Sequence, residues 1–247
     1  MSRWWLLALG LGAYAIGLIA TAPASLIDAG LQQASEGRLR LAEAQGTLWS
    51  GTGHIEVRDR MRRSAVAKRI TWQVLPAYLL RGQIRCEVGL NLAAKRFPVT
   101  ISLARIELAD ADIDLPAAAL GLAIPKLAPL GFGGDVLLHV ARVSFGRSAI
   151  QGNATLQWRG ASSALTRVSP LGDYELRFEG DGAAVRASLR TVRGPLQLDG
   201  QGSWTSGGNP AFRGTARIPP EHLQQLAPLM RMIAVERGEG NFELQLK

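Results

Sequence analysis

Histidine and cysteine are the side chains of this chain best suited to bind a metal or to act as a nucleophile. The three histidines, His54, His139 and His222, are isolated from one another, and none belongs to a His-x-x-x-His spacing. The single cysteine, Cys86, has no histidine near it in the sequence that could activate a thiolate. It alternates with apolar residues and is predicted to face a core as a small apolar side chain. We therefore predict no metal site and no catalytic residue.

The carboxylates and the glycine-rich segments also match no known motif for metal binding, catalysis or nucleotide binding. Asp110, Asp112 and Asp114 alternate, which predicts that they share one face of a strand. A calcium loop would also need a glycine and a distal glutamate, which are absent, so a solvated strand face is favoured. Gly-x-Ser-x-Gly and Walker motifs are absent, and Gly131-Phe132-Gly133-Gly134 lacks the rest of a dinucleotide fingerprint. The sequence predicts a protein that is not an enzyme and needs no cofactor.

An uncharged apolar segment runs from Trp4 to Ala20 (WWLLALGLGAYAIGLIA). Its length reaches the lower limit of about 17 residues for crossing a bilayer core. Ala20-Thr21-Ala22 fits a signal-peptidase site, but Pro23 would then begin the mature chain, and we expect proline to impede cleavage. We predict a retained transmembrane anchor within residues 1–24. Its large side chains are Trp4, Trp5, Leu6, Leu7, Leu9, Leu11, Tyr14, Ile16, Leu18 and Ile19.

The charge before the anchor predicts its orientation. Arg3 and the amino terminus favour a cytoplasmic N-terminus. The rest of the chain, behind a single membrane pass, would then lie on the far side of the membrane, which in a bacterium is the periplasm. The net charge is +8, and a basic cluster spans residues 58–69. Nucleic acid binding is disfavoured because these cations would lie outside the cytoplasm. A solvated loop, or contact with lipid or with an acidic partner, remains open for this cluster. Its cations are Arg58, Arg60, Arg62, Arg63, Lys68 and Arg69.

The hydropathy pattern after the anchor predicts a mainly β fold. Residues 25–36 have helical spacing, and from Arg38 onward apolar residues alternate with polar ones, as in antiparallel sheets with one wet face. The pattern slips by one between Leu103 and Ile106, which predicts a bulge. We expect twisted or rolled antiparallel sheets with a few short helices.

Two segments of the β region have a similar sequence pattern. Ile113-Asp114-Leu115-Pro116 and Ile218-Pro219-Pro220 each end a strand with proline before a short helical pattern. The similarity predicts two related halves, residues 25–130 and 131–247.

Four motifs occur in a fixed order behind the anchor: Gly46-Thr47-Leu48-Trp49-Ser50-Gly51, Trp72-Gln73-Val74-Leu75-Pro76, Pro170-Leu171-Gly172-Asp173-Tyr174, and Gly194-Pro195-Leu196-Gln197-Leu198-Asp199-Gly200. Together they resemble the type II secretion system protein N family of Gram-negative bacteria. The resemblance implies an inner-membrane accessory component for export of folded proteins across the outer membrane, without catalytic residues. It implies other inner-membrane and periplasmic parts of the apparatus as partners.

The motif residues are expected to have a structural or interaction role. Trp49 is predicted to fill the space beside the motif glycines. The full set is Gly46, Thr47, Leu48, Trp49, Gly51, Trp72, Pro76, Leu171, Gly172, Asp173, Tyr174, Gly194, Pro195, Leu196 and Gly200.

A lipid-binding or lipid-transfer β-groove tethered to the inner membrane is the alternative, because alternating strands can also form an open apolar groove. A polysaccharide-binding or hydrolysing domain is a more remote reading, since only 6% of residues are aromatic. The sequence leaves the exported substrates and the oligomeric state open.

Overall fold

The structure is a computed structural model of the 247-residue chain. It describes residues 3–37, 39–58, 64–91, 95–119, 129–146, 149–205, 208, 211–238 and 240–246. The chain divides into two compact units, residues 1–96 and 97–247. This division differs in place from the two halves expected at residues 25–130 and 131–247, whose relationship stays a prediction.

The first unit contains the N-terminal helices and four strands. Helix α1 spans Arg3–Ala20 and α2 spans Ser25–Ala34. The antiparallel strands, in spatial order, are β1 (Leu39–Gly46), β2 (Ser50–Arg58), β3 (Ser64–Leu75) and β4 (Gln83–Leu90). A short 3-10 helix, Pro76–Arg81, joins β3 to β4.

The predicted helix after the anchor is confirmed as α2. Asp28 lies in its first turn, where a carboxylate is favoured by the helix dipole, and its Oδ1 accepts a hydrogen bond from the Leu41 amide at 2.7 Å. Gly37 has φ +78° just beyond the helix, a conformation typical of helix ends. Leu41 and Trp72 are buried beside it, and Cys86 packs against them as predicted.

The second unit is a larger antiparallel sheet. Its strands lie in sequence order except that β14 lies between β12 and β13. They are β5 (Arg96–Ser102), β6 (Arg105–Pro116), β7 (Phe132–Gly146), β8 (Ile150–Ser163), β9 (Gly172–Asp181), β10 (Ala184–Arg193), β11 (Gln197–Thr205), β12 (Ala211–Arg217), β13 (Val235–Gly238) and β14 (Asn241–Leu246).

The bulge predicted between residues 103 and 106 is wrong. These residues form the turn between β5 and β6, in which Ile101 pairs with Ile106. Directly opposite residues share one face, so a short hairpin changes odd apolar positions to even ones, as a bulge also would. The irregularity in β6 lies instead at Asp110, whose φ is +52°.

Helix α3 (Pro220–Arg231) covers one end of the apolar face of the second unit. It starts at a proline, as the sequence predicts. Leu226, Leu229 and Met230 are almost fully buried with Tyr174 and Phe242 of the sheet. Burial of each such side chain stabilises the fold by about 1.5–3 kcal/mol, so α3 is a principal part of this core. The fold class is confirmed as mainly β, antiparallel, with few helices.

Candidate interaction surfaces

The first family-like motif forms the tight turn between β1 and β2. The Thr47 amide donates to the Ser50 carbonyl at 2.8 Å, and Gly46 has φ +101°. A Cβ at Gly46 would lie 2.4 Å from that carbonyl oxygen, and one at Gly51 would lie 2.4 Å from Cζ2 of Trp72. The turn therefore requires glycine at both ends. Trp72 occupies the space above Gly51. The prediction that Trp49 fills the space beside the motif glycines is therefore wrong.

The same turn holds the end of α1. Trp49 Nε1 donates to the Ile19 carbonyl at 2.9 Å, and the Leu48 amide donates to the Ala22 carbonyl at 2.8 Å. The indole of Trp72 donates to the Thr47 carbonyl at 3.1 Å, which holds the turn in place. The motif is thus the joint between the N-terminal helix and the sheet of the first unit.

Helix α1 exposes the apolar side chains predicted to lie in a membrane. Trp4, Leu9, Leu11, Tyr14, Leu18 and Ile19 are between 54% and 79% exposed. The side chains of Trp5, Leu6, Leu7 and Ile16 lie outside the described set. Among the residues that were described, no helix combines the length and the hydropathy needed to cross a membrane.

The motifs of the second unit meet beneath α3. The Leu196 amide donates to the Leu171 carbonyl at 3.1 Å, and the buried hydroxyl of Tyr174 donates to the Leu196 carbonyl at 2.9 Å. A Cβ at Gly194 would lie 2.3 Å from Cα of Gly172, so the two chain segments touch backbone to backbone. This close contact makes the motif a structural junction.

Asp173 stabilises the edge of this junction through hydrogen bonds to neighbouring strands. Its carboxylate accepts hydrogen bonds from the Gly160 amide at 2.7 Å and from Nε of Arg193 at 2.5 Å. The backbone hydrogen bond, helped by the Arg193 cation, lowers the pKa of Asp173. Burial raises the pKa of the Tyr174 hydroxyl, which stays a neutral donor. Pro195 is half-buried beside them.

Gly200 and Pro76 complete the motif set. A Cβ at Gly200 would lie 2.5 Å from the ring of Phe212, so this glycine makes room for an aromatic side chain. Pro76 begins the 3-10 helix of the first unit. The structure therefore brings the motif residues together as two separate groups, one in each unit.

A polar groove on the second unit was not found by sequence reasoning. Arg177, Ser188, Gln201 and Arg213 lie directly opposite one another in β9, β10, β11 and β12, and so share one face of the sheet. With Arg190 they line a cavity of about 630 Å³, which we call the polar groove. The sequence does show arginines at alternating positions in these strands. Which arginines lie side by side, however, depends on the register of the strand pairs.

The charges of the polar groove are only partly paired. Glu175, whose side chain is 11% exposed, accepts hydrogen bonds from Nε of Arg177 at 2.7 Å and of Arg190 at 3.0 Å. The side chain of Arg213 makes no ion pair or hydrogen bond with the described part of the chain. The carboxylates of Asp199 and Glu243 also line the groove, and Glu243 is paired with Arg237. The guanidinium of Arg213 is thus a cation of the groove that suits an acidic group of a partner.

The opposite face of the same sheet is apolar. Leu138, Leu156 and Leu176 lie opposite one another in β7, β8 and β9, and each is half-buried. Helix α3 packs at the end of the sheet near Tyr174.

The residues considered first for chemistry are dispersed. Burial raises the pKa of Cys86, which lowers its thiolate fraction. His139 lies 2.6 Å from the carboxylate of Asp112, and this aspartate is exposed like Asp110 and Asp114. Across the described ranges, no three His, Cys, Asp or Glu side chains form a group that could hold a metal ion.

The basic cluster begins at the hairpin between β2 and β3. Arg58 pairs with Ser64 at the end of these strands away from the Trp49 turn. Arg60, Arg62 and Arg63 lie outside the described residues.

Comparison with known proteins agrees with the resemblance found in the motifs. Residues 37–245 match the sequence model of the family described as type II secretion system (T2SS), protein N. The type II secretion system protein N of Pectobacterium carotovorum subsp. carotovorum is 26% identical over 225 residues, covering 82% of this chain and 79% of that protein. No solved structure matches. The chain belongs to the type II secretion system protein N family.

Proposed function

We propose that this chain is an accessory component of the type II secretion system that acts by binding other components of the apparatus. It assists export of folded proteins across the outer membrane, and it has no enzymatic activity. The observation that carries this proposal is the family match, which extends over residues 37–245. The dispersed histidines and the raised pKa of Cys86 are consistent with a role in assembly and not in turnover.

The proposal places α1 in the bacterial inner membrane, with its N-terminus in the cytoplasm and both β units in the periplasm. Its support is the uncharged sequence after Arg3 and the exposure of apolar side chains such as Leu11, which is 71% exposed. A bilayer removes such surface from water. Trp4, which is 79% exposed, suits the interfacial zone.

The polar groove is the proposed surface for a secretion partner. A binding surface needs groups that the partner can complement, and Arg213 offers a guanidinium that the described residues leave unpaired. The fixed pairs of Arg177 and Arg190 with Glu175 hold the groove in shape around it. An acidic side chain of the partner would pair with Arg213.

Deletion of the chain in its host tests the proposal, with wild-type protein restored as the reference. We expect folded exported proteins to be lost from the medium and to accumulate in the periplasm. Restoring the chain with Arg213→Glu should leave export reduced. Arg167→Glu, an exposed arginine in the loop after β8, is the matched control and should restore export. Intact export after deletion would overturn the proposal.

Lipid handling is the second candidate function, and one observation favours it. The leucines Leu138, Leu156 and Leu176 form a half-buried apolar row on the sheet. Such a row could bind an acyl chain. Phospholipid that copurifies with the chain and is lost with Leu156→Asp would favour this function. A lipid-altered outer membrane with normal export after deletion would favour it over secretion.

A further inference from the structure

We propose that the 3-10 helix Pro76–Arg81, together with the start of β4, is a second membrane contact that binds the surface of an anionic phospholipid bilayer. We call this segment, residues 76–85, the lipid contact. The inference rests on the proposed anchoring of the chain by α1. It adds a surface on which the first unit lies against the membrane.

Hydrogen bonds connect the lipid contact to the end of α1. Trp49 donates through Nε1 to the Ile19 carbonyl at 2.9 Å, and its own carbonyl accepts from the Val74 amide at 2.6 Å. Val74 is followed by Leu75 and then by Pro76, the first residue of the 3-10 helix. The lipid contact therefore lies at the end of the first unit where α1 joins the sheet.

The lipid contact exposes large apolar side chains. Leu80 is 93% exposed, and Leu79 and Ile84 are 40% and 43% exposed. Gly82 ends the 3-10 helix with φ +67°, a conformation that glycine adopts without strain, and the chain returns into β4 there. A leucine that projects almost wholly into solvent at the membrane end of a protein is suited to insertion among lipid headgroups and upper acyl chains.

Two cations lie beside these leucines. The guanidinium carbons of Arg81 and Arg85 are 5.9 Å and 5.0 Å from the ring centre of Tyr78. Arg85 Nη1 donates to the Tyr78 hydroxyl at 3.1 Å, whereas its Nε is buried without a hydrogen-bond partner. No carboxylate of the described ranges pairs with either arginine. A lipid phosphate would supply the anion that the exposed Arg81 lacks, and the half-buried Arg85 adds positive charge near the same Tyr78 ring.

The basic cluster is the competing lipid surface, and its described cations lie away from the Trp49 turn. Arg58 is eight residues along β2 from Ser50, or roughly 26 Å at about 3.3 Å per residue. Arg69 pairs with His54, four residues along β2 from Ser50, or roughly 13 Å. The geometry therefore assigns the membrane-facing end of the first unit to the lipid contact.

A fluorescent probe on single cysteines in the full chain tests the inference. The Cys86→Ala protein would carry Leu80→Cys, Tyr14→Cys or Arg40→Cys, each labelled with an environment-sensitive dye. Vesicles would contain phosphatidylethanolamine, phosphatidylglycerol and a nitroxide-bearing lipid as quencher. Tyr14 reports α1, and Arg40 is an exposed control about 20 Å along β1 from the turn.

We expect a blue shift and several-fold stronger quenching at Leu80 than at Arg40, with Tyr14 also quenched. Quenching at Tyr14 with Leu80 equal to Arg40 would overturn the lipid contact and keep the anchor. Quenching at Leu80 without Tyr14 would overturn the anchor and support the lipid contact. Absence of quenching at both would overturn both.

Lipid charge tests the role of the arginines. Replacing phosphatidylglycerol with phosphatidylcholine should reduce the quenching at Leu80 and leave that at Tyr14 unchanged, because only the former depends on Arg81 and Arg85. Equal quenching at Leu80 in the two vesicle types would overturn the proposed recognition of anionic headgroups.

Discussion

Replacement of Gly194 by alanine should destabilise the second unit far more than an ordinary glycine substitution. Gly194 has φ +129°, and its added Cβ would lie 2.3 Å from Cα of Gly172 and 2.7 Å from the Leu171 carbonyl oxygen. Nonbonded carbon atoms normally lie about 3.5–4.0 Å apart. The two backbone segments would therefore have to separate by more than about 1 Å, which would also strain the hydrogen bond from the Leu196 amide to Leu171.

The expected loss of stability in Gly194→Ala follows from two energetic costs. A side chain held in a backbone region reserved for glycine costs of order 1–3 kcal/mol, and overpacking a well-packed site costs about 1–3 kcal/mol. The reduced freedom of the unfolded chain returns about 0.4–1 kcal/mol. We expect Gly194→Ala to lower the free energy of unfolding by about 3–4 kcal/mol.

Gly160→Ala is the matched control in the same unit. Gly160 has φ +57°, and no atom lies within 4 Å of an added Cβ. The cost of a left-handed alanine is about 1–2 kcal/mol, offset in part by the same unfolded-state effect. The difference between the two variants, about 2–3 kcal/mol, isolates the close backbone contact.

Hydrogen exchange of peptides from residues 171–196, followed by mass spectrometry, measures the effect within the second unit. A difference of about 2–3 kcal/mol corresponds to roughly 30- to 150-fold faster exchange in Gly194→Ala than in Gly160→Ala, since about 1.4 kcal/mol is a factor of ten. Equal exchange rates in the two variants would refute the reasoning, because the neighbouring backbone would then yield without cost.

Three further outcomes test individual contacts. Tyr174→Phe should lower the free energy of unfolding by about 1–2 kcal/mol, measured by urea denaturation, because the buried Leu196 carbonyl loses its donor; an unchanged midpoint would contradict this. Trp49→Phe removes the hydrogen-bond donor to the Ile19 carbonyl and should reduce local stability by about 1 kcal/mol. Amide hydrogen exchange in the turn between β1 and β2 should then be about fivefold faster, and unchanged exchange would contradict the role of Trp49 in holding α1. Asp173 has a lowered folded pKa, so the stability that it contributes is present above its unfolded pKa of about 3.9 and is lost as pH falls through the folded value. Urea midpoints measured from pH 7 down to about pH 3 should therefore fall less steeply for Asp173→Asn than for the wild type, and parallel profiles would contradict the assignment.

Local patterns in the chain were enough to predict most elements of secondary structure. Two-residue alternation predicted antiparallel strands, and helical spacing predicted α2 over residues near 25–36. Proline before an apolar helical pattern predicted the start of α3. These predictions succeed because each of these structural elements depends on residues that are close together in the sequence. The slip near residue 103 was misassigned because a hairpin and a bulge change the alternation in the same way.

The ordered motifs also predicted the family, but not what each residue contacts. Glycine at positions 46 and 51 indicates close packing, yet the sequence does not say that Trp72 lies above Gly51 while Trp49 holds α1. Either tryptophan is large enough for either place. The choice depends on which strand pairs with the turn.

The sequence by itself determined the apolar N-terminal segment, the β-rich periodicity and the motif order, since each is a property of consecutive residues. Only the tertiary structure placed the arginines of the polar groove on one face, and the segment proposed as the lipid contact at the end of the first unit next to α1. Arg177 and Arg213 are 36 positions apart in the chain and share one face only through the registers of three strand pairs. The lipid contact likewise lies beside α1 only because Trp49 bonds to both Ile19 and β3. Register and long-range hydrogen bonds are set by packing of the whole unit, which no local pattern encodes.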